Sequence, residues 1–199
     1  MIYLMRHGRI EQSEPRRFVG QRDVPLDDTG REQARAMHCL LAAHGFARVI
    51  CSDLKRSVET AELVSRGRNL DILKEPNLRE LNLGKWQGLT TDEVKERYAQ
   101  EYEARGLYLA TTRPSGGESF RDLRRRVMPC FERIMETDRG GTLVVAHSAV
   151  NRTILCSLLG LDLELVTRLG QDYCCLNVIR PAPGGAVLEA MNVTAPAGY

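Results

Sequence analysis

The sequence predicts an α/β fold, with a mostly parallel central sheet flanked by helices. Short apolar runs of strand length alternate along the chain with amphipathic helical patterns, which is the order of elements in such sheets. The runs at residues 2–5 and Thr142–Ala146 are nearly free of polar side chains, as expected of parallel strands buried on both faces. The 199 residues, 43% of them hydrophobic, suffice for one domain with a sizeable core.

The first strand, at residues 2–5, is followed by a helix whose start has the spacing of a capping box. Thr29 and Glu32 supply the two reciprocal side chains, and the helix is expected to end near Gly45. Arg48–Cys51 is the second predicted strand, because it is a short apolar run that follows this turn signal.

A second helix is expected directly after that strand, because Ser52 is a residue type that caps helices. Its apolar face comprises Leu54, Val58 and Ala61. A third helix begins at the capping-box pair Thr90 and Glu93 and is expected to stop at Gly106. It belongs to the segment 75–119, which interrupts the alternation and is expected to form a cap over the site.

A long helix is predicted in the second half of the chain, where Ser119 and Asp122 have capping-box spacing. Its inward apolar positions are Phe120, Leu123, Val127, Phe131 and Ile134. Pro129 lies inside this pattern and predicts a kink, because proline removes a helical hydrogen bond. The three arginines at 124–126 are interpreted as a solvated face of the helix.

The most strand-like run in the chain is Thr142–Ala146. Ser148 is expected to cap the helix after it, which ends at Gly160. The tail, residues 175–193, predicts two strands joined by the turn "PAPGG". No internal repeat or low-complexity linker divides the chain, so residues 1–199 are interpreted as a single domain with the cap-like insertion at about 75–119.

Composition limits the classes of partner. The net charge is +2, from 28 basic and 26 acidic side chains, which does not suggest binding to nucleic acid. No stretch approaches the roughly 18 apolar residues of a membrane span, and the apolar start is too short for a secretory signal. We therefore expect a cytoplasmic protein. The six cysteines show no CxxC spacing and mostly lie in apolar patterns, so we expect reduced core cysteines.

Polar residues follow three of the predicted strands at the point where each strand ends. Arg6 and His7 follow the first, Ser52 and then Arg56 follow the second, and His147 follows the third. Ligands of open parallel sheets bind beyond the carboxyl ends of the strands, so we expect these side chains to converge there. Guanidiniums, imidazoles and helix N-termini together favour an anion, and the planar guanidinium fork suits phosphate oxygens.

At this point the sequence resembles a known family, the histidine phosphatase superfamily, in its phosphoglycerate mutase-like branch. The resemblance covers most of the chain up to about residue 155, in the order found in the family. The segments that carry it are "LMRHGR", "FVGQRDVPLDDTGREQA", "CSDLKRSVETAE", "LRELNLGKWQG", "PSGGES" and "LVVAHSAVNRTIL". It implies the three-layer phosphoglycerate mutase-like fold.

The resemblance also implies a mechanism. His7 would be the nucleophile and form a phosphohistidine, while Arg6, Arg56 and His147 would hold the phosphoryl oxygens. Glu80 would be the general acid for the leaving alkoxide and later the base for water. No metal or other cofactor is implied, because these groups already supply positive charge and the sequence has no carboxylate cluster of the metal-binding type.

Further positions match residues that line the family's substrate site. They are Gly20, Ser52, Glu118 and Ser119. Five positions depart from the family's pattern, and they are Arg9, Ser13, Val19 and the pair Ser148–Ala149. The resemblance nevertheless implies that Arg9, Ser13 and Ser148 lie at the substrate pocket, where Arg9 would add a further contact for an acidic substrate.

The expected activity is metal-independent hydrolysis of a small phosphorylated metabolite. "AHSAVNRTIL" followed by "GQDYCCLNVI" resembles the α-ribazole 5′-phosphate phosphatases of cobalamin biosynthesis. Phosphoglycerate mutase, fructose-2,6-bisphosphatase and broad sugar phosphatase activities stay open as alternatives. A non-catalytic phosphate-binding regulatory module is the alternative from another class, because a fold does not fix a function. A homodimer is left open.

Overall fold

The computed structural model describes residues 1–11 and 15–196 and contains one six-stranded sheet with helices on both faces. The strands are β1 (Ile2–Arg6), β2 (Arg48–Cys51), β3 (Ile72–Lys74), β4 (Thr142–Ala146), β5 (Leu176–Ala182) and β6 (Gly185–Val193). The helices are α1 (Asp28–Leu40), α2 (Lys55–Val64), α3 (Thr91–Arg97), α4 (Ala99–Leu107), α5 (Phe120–Glu136) and α6 (Ser148–Leu158).

The sheet is mostly parallel, as the sequence predicted. Its strand order is β3-β2-β4-β1-β5-β6, and the first four strands in that order pair in parallel. The tail forms the predicted hairpin, in which β5 pairs antiparallel with both β1 and β6. The short edge strand β3 was not predicted, because only three residues pair and two of them are exposed.

Two hydrophobic clusters cover the two faces of the sheet and make the three layers. On one face, Leu4 and Val144 pack with the buried residues of α5 and α6. On the other, Met5 and Val145 pack with α1 and α2. The central strands β1 and β4 are buried on both sides, so their carboxyl ends hold polar side chains in fixed positions.

The predicted start of α1 is wrong. Asp27, not Thr29, is the N-cap, and its Oδ1 accepts from the backbone N of Gly30 at 2.7 Å. The Thr29 hydroxyl instead accepts from the guanidinium of Arg9 at 3.0 Å. The helix ends at Leu40, and a 3-10 turn continues the chain toward the expected end at Gly45.

The predicted caps of α2 and α6 are also wrong. Leu54 and His147 occupy the N-cap positions, and neither side chain makes a capping hydrogen bond. Ser52 lies before α2 and its Oγ accepts only from Leu54 N, at 3.4 Å. Ser148 is already the first residue of α6. The first backbone N–H groups of α6 are thereby left for partners from elsewhere in the chain.

The capping boxes at Thr90 and Ser119 are confirmed. The single helix expected after Thr90 is two helices, because the chain breaks at Tyr98 between α3 and α4. All five predicted inward residues of α5 are buried, and the helix continues through the exposed Pro129. Arg126 corrects the solvated-face interpretation, since it is half-buried and bonded to Glu118.

All six cysteines are free, as expected, and five are buried whereas Cys39 is exposed. In the described part of the chain, no helix is long and apolar enough to cross a membrane. Over those same residues, no group of three or more His, Cys, Asp or Glu side chains is placed to hold a metal ion.

Candidate active site

Three neighbouring strands end at the same edge of the sheet and bring four polar side chains together. Arg6 is the last residue of β1 and His7 follows it, while His147 follows β4. Arg56 lies in the first turn of α2, after β2. The rings of His7 and His147 are 5.1 Å apart between centroids. His7, Arg56 and His147 are buried, so the cluster is held by the core.

The His7 ring has a fixed orientation. Its Nδ1 lies 2.7 Å from the carbonyl oxygen of Gly8, which can only accept, so Nδ1 carries the proton and Nε2 is bare. The N of Gly8 in turn donates to the Thr60 hydroxyl at 3.1 Å. A Cβ at Gly8 would lie 2.5 Å from the carbonyl oxygen of Gly30, so only glycine permits this approach.

Both histidines are neutral near pH 7. The pKa values of His7 and His147 lie well below 6.5, chiefly because burial disfavours the charged ring and also because the Arg56 guanidinium repels it. A neutral imidazole with one bare nitrogen is a competent nucleophile. The same burial lowers the pKa of Arg56.

Backbone carbonyls hold the two guanidiniums in place. Arg6 donates from Nη1 to the carbonyl oxygen of Gln171 at 2.5 Å, and its guanidinium stacks 3.8 Å from the centroid of the Tyr173 ring. Arg56 donates to the carbonyl oxygens of Arg22 and Gly20, both at 2.7 Å. Carbonyls orient a guanidinium without neutralising it, so the positive charge stays available to an anion.

Buried polar atoms without a protein partner concentrate in this cluster. Within the residues that the structure describes, five buried side-chain nitrogen or oxygen atoms have none, and four belong to Arg6, Arg56 and His147. Both ring nitrogens of His147 are among them. An unpaired buried polar atom costs about 1–3 kcal/mol, so their gathering in one place indicates a polar ligand there.

Glu80 lines the same cavity as Arg6, His7 and Arg56, at the N-terminus of α6. Its carboxylate accepts from the backbone N of Leu81 at 2.9 Å and from that of Ala149 at 3.2 and 3.3 Å. The free N–H groups at the start of α6 therefore orient Glu80. Its backbone carbonyl accepts from the Gln21 side chain at 2.9 Å and from Arg126 at 3.3 Å, which fixes the loop.

A cavity of about 600 Å³ lies at this cluster, and the fully buried His147 is not part of its lining. Of the residues predicted for substrate binding, Gly20 and Ser148 lie in its lining. The catalytic residues predicted from the resemblance that also line it are Arg6, His7, Arg56 and Glu80. Ser13 lies outside the described residues.

The other four predicted substrate-binding residues do not line the cavity. Arg9 pairs with Asp27 at 2.6 Å, which turns its guanidinium toward the start of α1. Ser52 is fully buried under the start of α2. Glu118 pairs with Arg126, and Ser119 caps α5, so both fix the loop between α4 and α5. These corrections come from local partners that a motif does not reveal.

Several side chains that contact the cluster or its supporting loops were not predicted from the sequence. Tyr173 lies 5.8 Å from the His7 ring between centroids and stacks on Arg6. Arg126 donates to the backbone of the Glu80 loop, and Thr60 supports Gly8. Tyr173 belongs to the segment "GQDYCCLNVI", and it reaches the site because β5 returns beside β1.

The fold and the site define a class of α/β protein with a buried cluster of histidines and arginines at the carboxyl edge of its sheet. Residues 2–194 match the family model "Histidine phosphatase superfamily (branch 1)". The chain belongs to the histidine phosphatase superfamily.

The relatives of this chain have names that indicate different substrates. The chain is 33% identical over 187 residues to 2-carboxy-D-arabinitol-1-phosphatase of Triticum aestivum, covering 92% of this chain and 38% of that protein. It is 28% identical over 194 residues to phosphoserine phosphatase 1 of Hydrogenobacter thermophilus, covering 97% and 92% of the two chains. It spans between 38% and 54% of the length of the wheat protein and three mycobacterial relatives.

A solved structure supports the same fold over the whole chain. The α-ribazole phosphatase of Shigella flexneri superposes with a TM-score of 0.91 at 28% sequence identity, covering 100% of this chain and 98% of that one. The phosphoglycerate mutase-like α/β fold expected from the resemblance is thereby confirmed.

Proposed function

We propose that the protein hydrolyses a phosphate monoester through a phosphohistidine formed on His7. The observation that carries this proposal is the concentration of unpaired buried nitrogens around His7, on Arg6, Arg56 and His147. A tetrahedral phosphoryl group offers acceptor oxygens to these donors. Its negative charge compensates the positive charge of the two guanidiniums.

In the first step, the bare Nε2 of His7 attacks phosphorus. A P–N bond forms as the P–O bond to the organic part breaks, and Glu80 gives its proton to the leaving oxygen. Arg6, Arg56 and His147 hold the phosphoryl oxygens, where charge spreads in the transition state. The Nδ1 bond to Gly8 keeps the ring aligned throughout.

In the second step, Glu80 takes a proton from a water molecule that attacks the phosphohistidine. The P–N bond breaks, inorganic phosphate leaves, and the His7 ring returns to its neutral form with Nδ1 protonated. Glu80 starts this cycle as an acid and ends it as an acid, so no co-reactant other than water is consumed.

Two kinds of organic group are candidates for the part of the ester that leaves. The cavity wall includes the aromatic rings of Phe18, Tyr102 and Phe120, which suit an aromatic group such as that of α-ribazole 5′-phosphate. An α-ribazole phosphatase activity would give the protein a role in cobalamin biosynthesis. The names of the wheat and Hydrogenobacter relatives instead describe phosphate esters that also carry a carboxylate. Phosphoglycerate mutase and fructose-2,6-bisphosphatase activities are the remaining alternatives.

The test is phosphate release from nitrophenyl phosphate and from a panel of alkyl phosphates, in excess chelator, with and without vanadate. We expect hydrolysis that persists in chelator and is blocked by vanadate. Calorimetric binding of inorganic phosphate without turnover of any ester would contradict hydrolysis and indicate the phosphate-binding module. Activity lost in chelator and restored by magnesium would contradict the metal-independent mechanism.

A further inference from the structure

A cluster of buried amide side chains lies beside the reaction centre but outside the cavity lining. Its members are Gln171, Asn177 and Asn151, each 3% exposed or less. Buried amides are costly unless they are hydrogen-bonded, and apolar side chains of the same shape make an equally stable core. A fully bonded amide cluster therefore indicates that this part of the core holds a particular group in a particular position.

Gln171 and Asn177 pair with each other through both ends of their amides. Gln171 Nε2 donates to Asn177 Oδ1 at 2.8 Å, and Asn177 Nδ2 donates back to Gln171 Oε1 at 3.0 Å. Asn177 Nδ2 also donates to the carbonyl oxygen of Leu4 at 3.0 Å, and the Asn151 amide lies 3.1 Å from Gln171 Oε1. The amide pair thus ties the loop before β5 to β1, two residues before Arg6.

Asn192 of β6 holds the same loop from the other side. Its backbone N donates to Asn177 Oδ1 at 3.1 Å. Its side chain accepts from the backbone N of Asp172 at 2.7 Å and donates to the Asp172 carboxylate at 2.8 Å. Asn192 has a φ of 56°, a left-handed conformation that asparagine adopts more readily than most residues. Side chains of both strands of the hairpin therefore fix the loop.

This loop orients the guanidinium of Arg6. Within residues 1–11 and 15–196, that guanidinium makes one hydrogen bond, from Nη1 to the Gln171 carbonyl oxygen. Tyr173, two residues further along the loop, stacks on it. The Nε of Arg6 is buried without a protein partner. Any displacement of residues 171–173 would therefore change the direction in which the guanidinium points.

We propose that Gln171 and Asn177 are positioning residues, which hold the Arg6 guanidinium in place for the phosphoryl group. The inference rests on the proposed function only in taking phosphate as the ligand of Arg6. Because the support consists of neutral amides and a backbone carbonyl, it orients the guanidinium without compensating its charge. Loss of the amide pair should then weaken phosphate binding through Arg6, and not through loss of the fold.

Titration with inorganic phosphate at pH 7.5 measures this effect without turnover, by calorimetry or, for millimolar Kd values, by ³¹P NMR. Asn177→Leu and Gln171→Met replace each amide by an apolar side chain of similar size. We expect each variant to raise Kd about tenfold, because a displacement of about 1 Å can cost as much as a hundredfold at a reaction centre. The kcat/KM on nitrophenyl phosphate should fall by at least the same factor.

Ile134→Ala is the control for lost stability. Ile134 is buried in α5 at the opposite edge of the sheet, where Arg48 at the start of β2 donates to its carbonyl oxygen. This variant should lower the Tm and leave the Kd for phosphate at the wild-type value. Circular dichroism shows which variants are folded, and Asn177→Ser, a smaller change, replaces Asn177→Leu if the leucine variant does not fold.

A double-mutant cycle with Arg6→Gln separates positioning from a structural role. In the Arg6→Gln background, Asn177→Leu should change Kd by less than about twofold, because the group that Asn177 positions is gone. A further tenfold rise would show that Asn177 acts through the fold or through another group, and would overturn the proposal.

The failure of this proposal and that of the proposed hydrolysis give different results. Unchanged Kd values in the folded Asn177 and Gln171 variants, with esters still hydrolysed, would overturn the positioning role alone. The expected Kd changes together with no hydrolysis of any ester would support the positioning role and contradict the hydrolysis.

Discussion

At the residue scale, Glu80 is held by two backbone N–H groups and must still exchange a proton. If it protonates the leaving oxygen, its loss should affect alkyl phosphates most, because their alkoxides leave only with a proton. General acid help is worth roughly 10²- to 10⁴-fold in rate. We therefore expect Glu80→Gln to lower kcat at least about a hundredfold on a sugar phosphate and clearly less on nitrophenyl phosphate.

The check is a paired kcat measurement on both esters, with burst kinetics to establish that phosphoryl transfer to His7 limits turnover. Glu132→Gln serves as the matched control, because Glu132 is exposed on α5 and lies outside the cavity lining. Equal losses on the two esters in Glu80→Gln would mean that Glu80 orients the substrate and that a different group supplies the proton.

The two buried histidines also predict a pH dependence of stability. Their pKa values in the folded protein lie well below the 6.5 of an exposed ring, so the unfolded chain binds more protons below that pH. The free energy of unfolding should therefore be independent of these rings above about pH 6.5. It should fall as the pH drops below that value, by at most about 1.4 kcal/mol per pH unit for each ring.

Urea unfolding at pH 7.5, 6.0 and 5.0 measures this slope. His147→Gln should make it shallower, whereas His44→Gln, at an exposed histidine, should leave it at the wild-type value. A slope that is the same in wild type and His147→Gln would show that the ring is not held neutral by burial.

At the element scale, helix α5 holds the loop that contains Glu80 in place. The contact comes from Arg126, which the sequence placed on a solvated face of this helix. Arg126 of α5 donates to the carbonyl oxygens of Asn77, Arg79 and Glu80 and pairs with Glu118 at 2.8 Å. Replacing Arg126 removes these hydrogen bonds and leaves the half-buried carboxylate of Glu118 without its ion-pair partner. We expect Arg126→Met to cost about 1–3 kcal/mol of stability and to lower kcat on alkyl phosphates about tenfold.

Arg124→Met is the control for Arg126→Met, because Arg124 is exposed on the same helix. Both variants are compared by thermal unfolding and by kcat on alkyl and nitrophenyl phosphates. A fall in stability with unchanged kinetics on both esters would show that Arg126 supports only the fold and does not position Glu80.

Helix starts were the elements that the sequence predicted least well. Asp27, rather than Thr29, caps α1, and no side chain caps α2 or α6. A capping motif depends only on residues that are close in sequence. At α6 the backbone N–H of Ala149 instead donates to the carboxylate of Glu80, which is distant in sequence. The two capping boxes that were confirmed, at Thr90 and Ser119, are satisfied entirely within their own turns.

At the scale of the whole molecule, the sequence predicted the parallel strands and their polar ends well. Apolar runs buried on both faces are a strong signal, and strand ends in a parallel sheet must meet. The contributions of Tyr173 and Gln171 could not be predicted in this way. They reach Arg6 because the chain returns antiparallel beside β1, where Cys174 N donates to the His7 carbonyl at 3.1 Å.

Transfer of the phosphoryl group to His7 can be measured directly. Rapid acid-free quenching of the enzyme with ³²P-labelled substrate should trap a phosphoprotein that is stable in base and labile in acid. Peptide mapping should place the label on His7. His7→Ala should form no labelled species, while His44→Gln should label like the wild type. Label on a serine or cysteine, or acid-labile label that persists in His7→Ala, would contradict the mechanism.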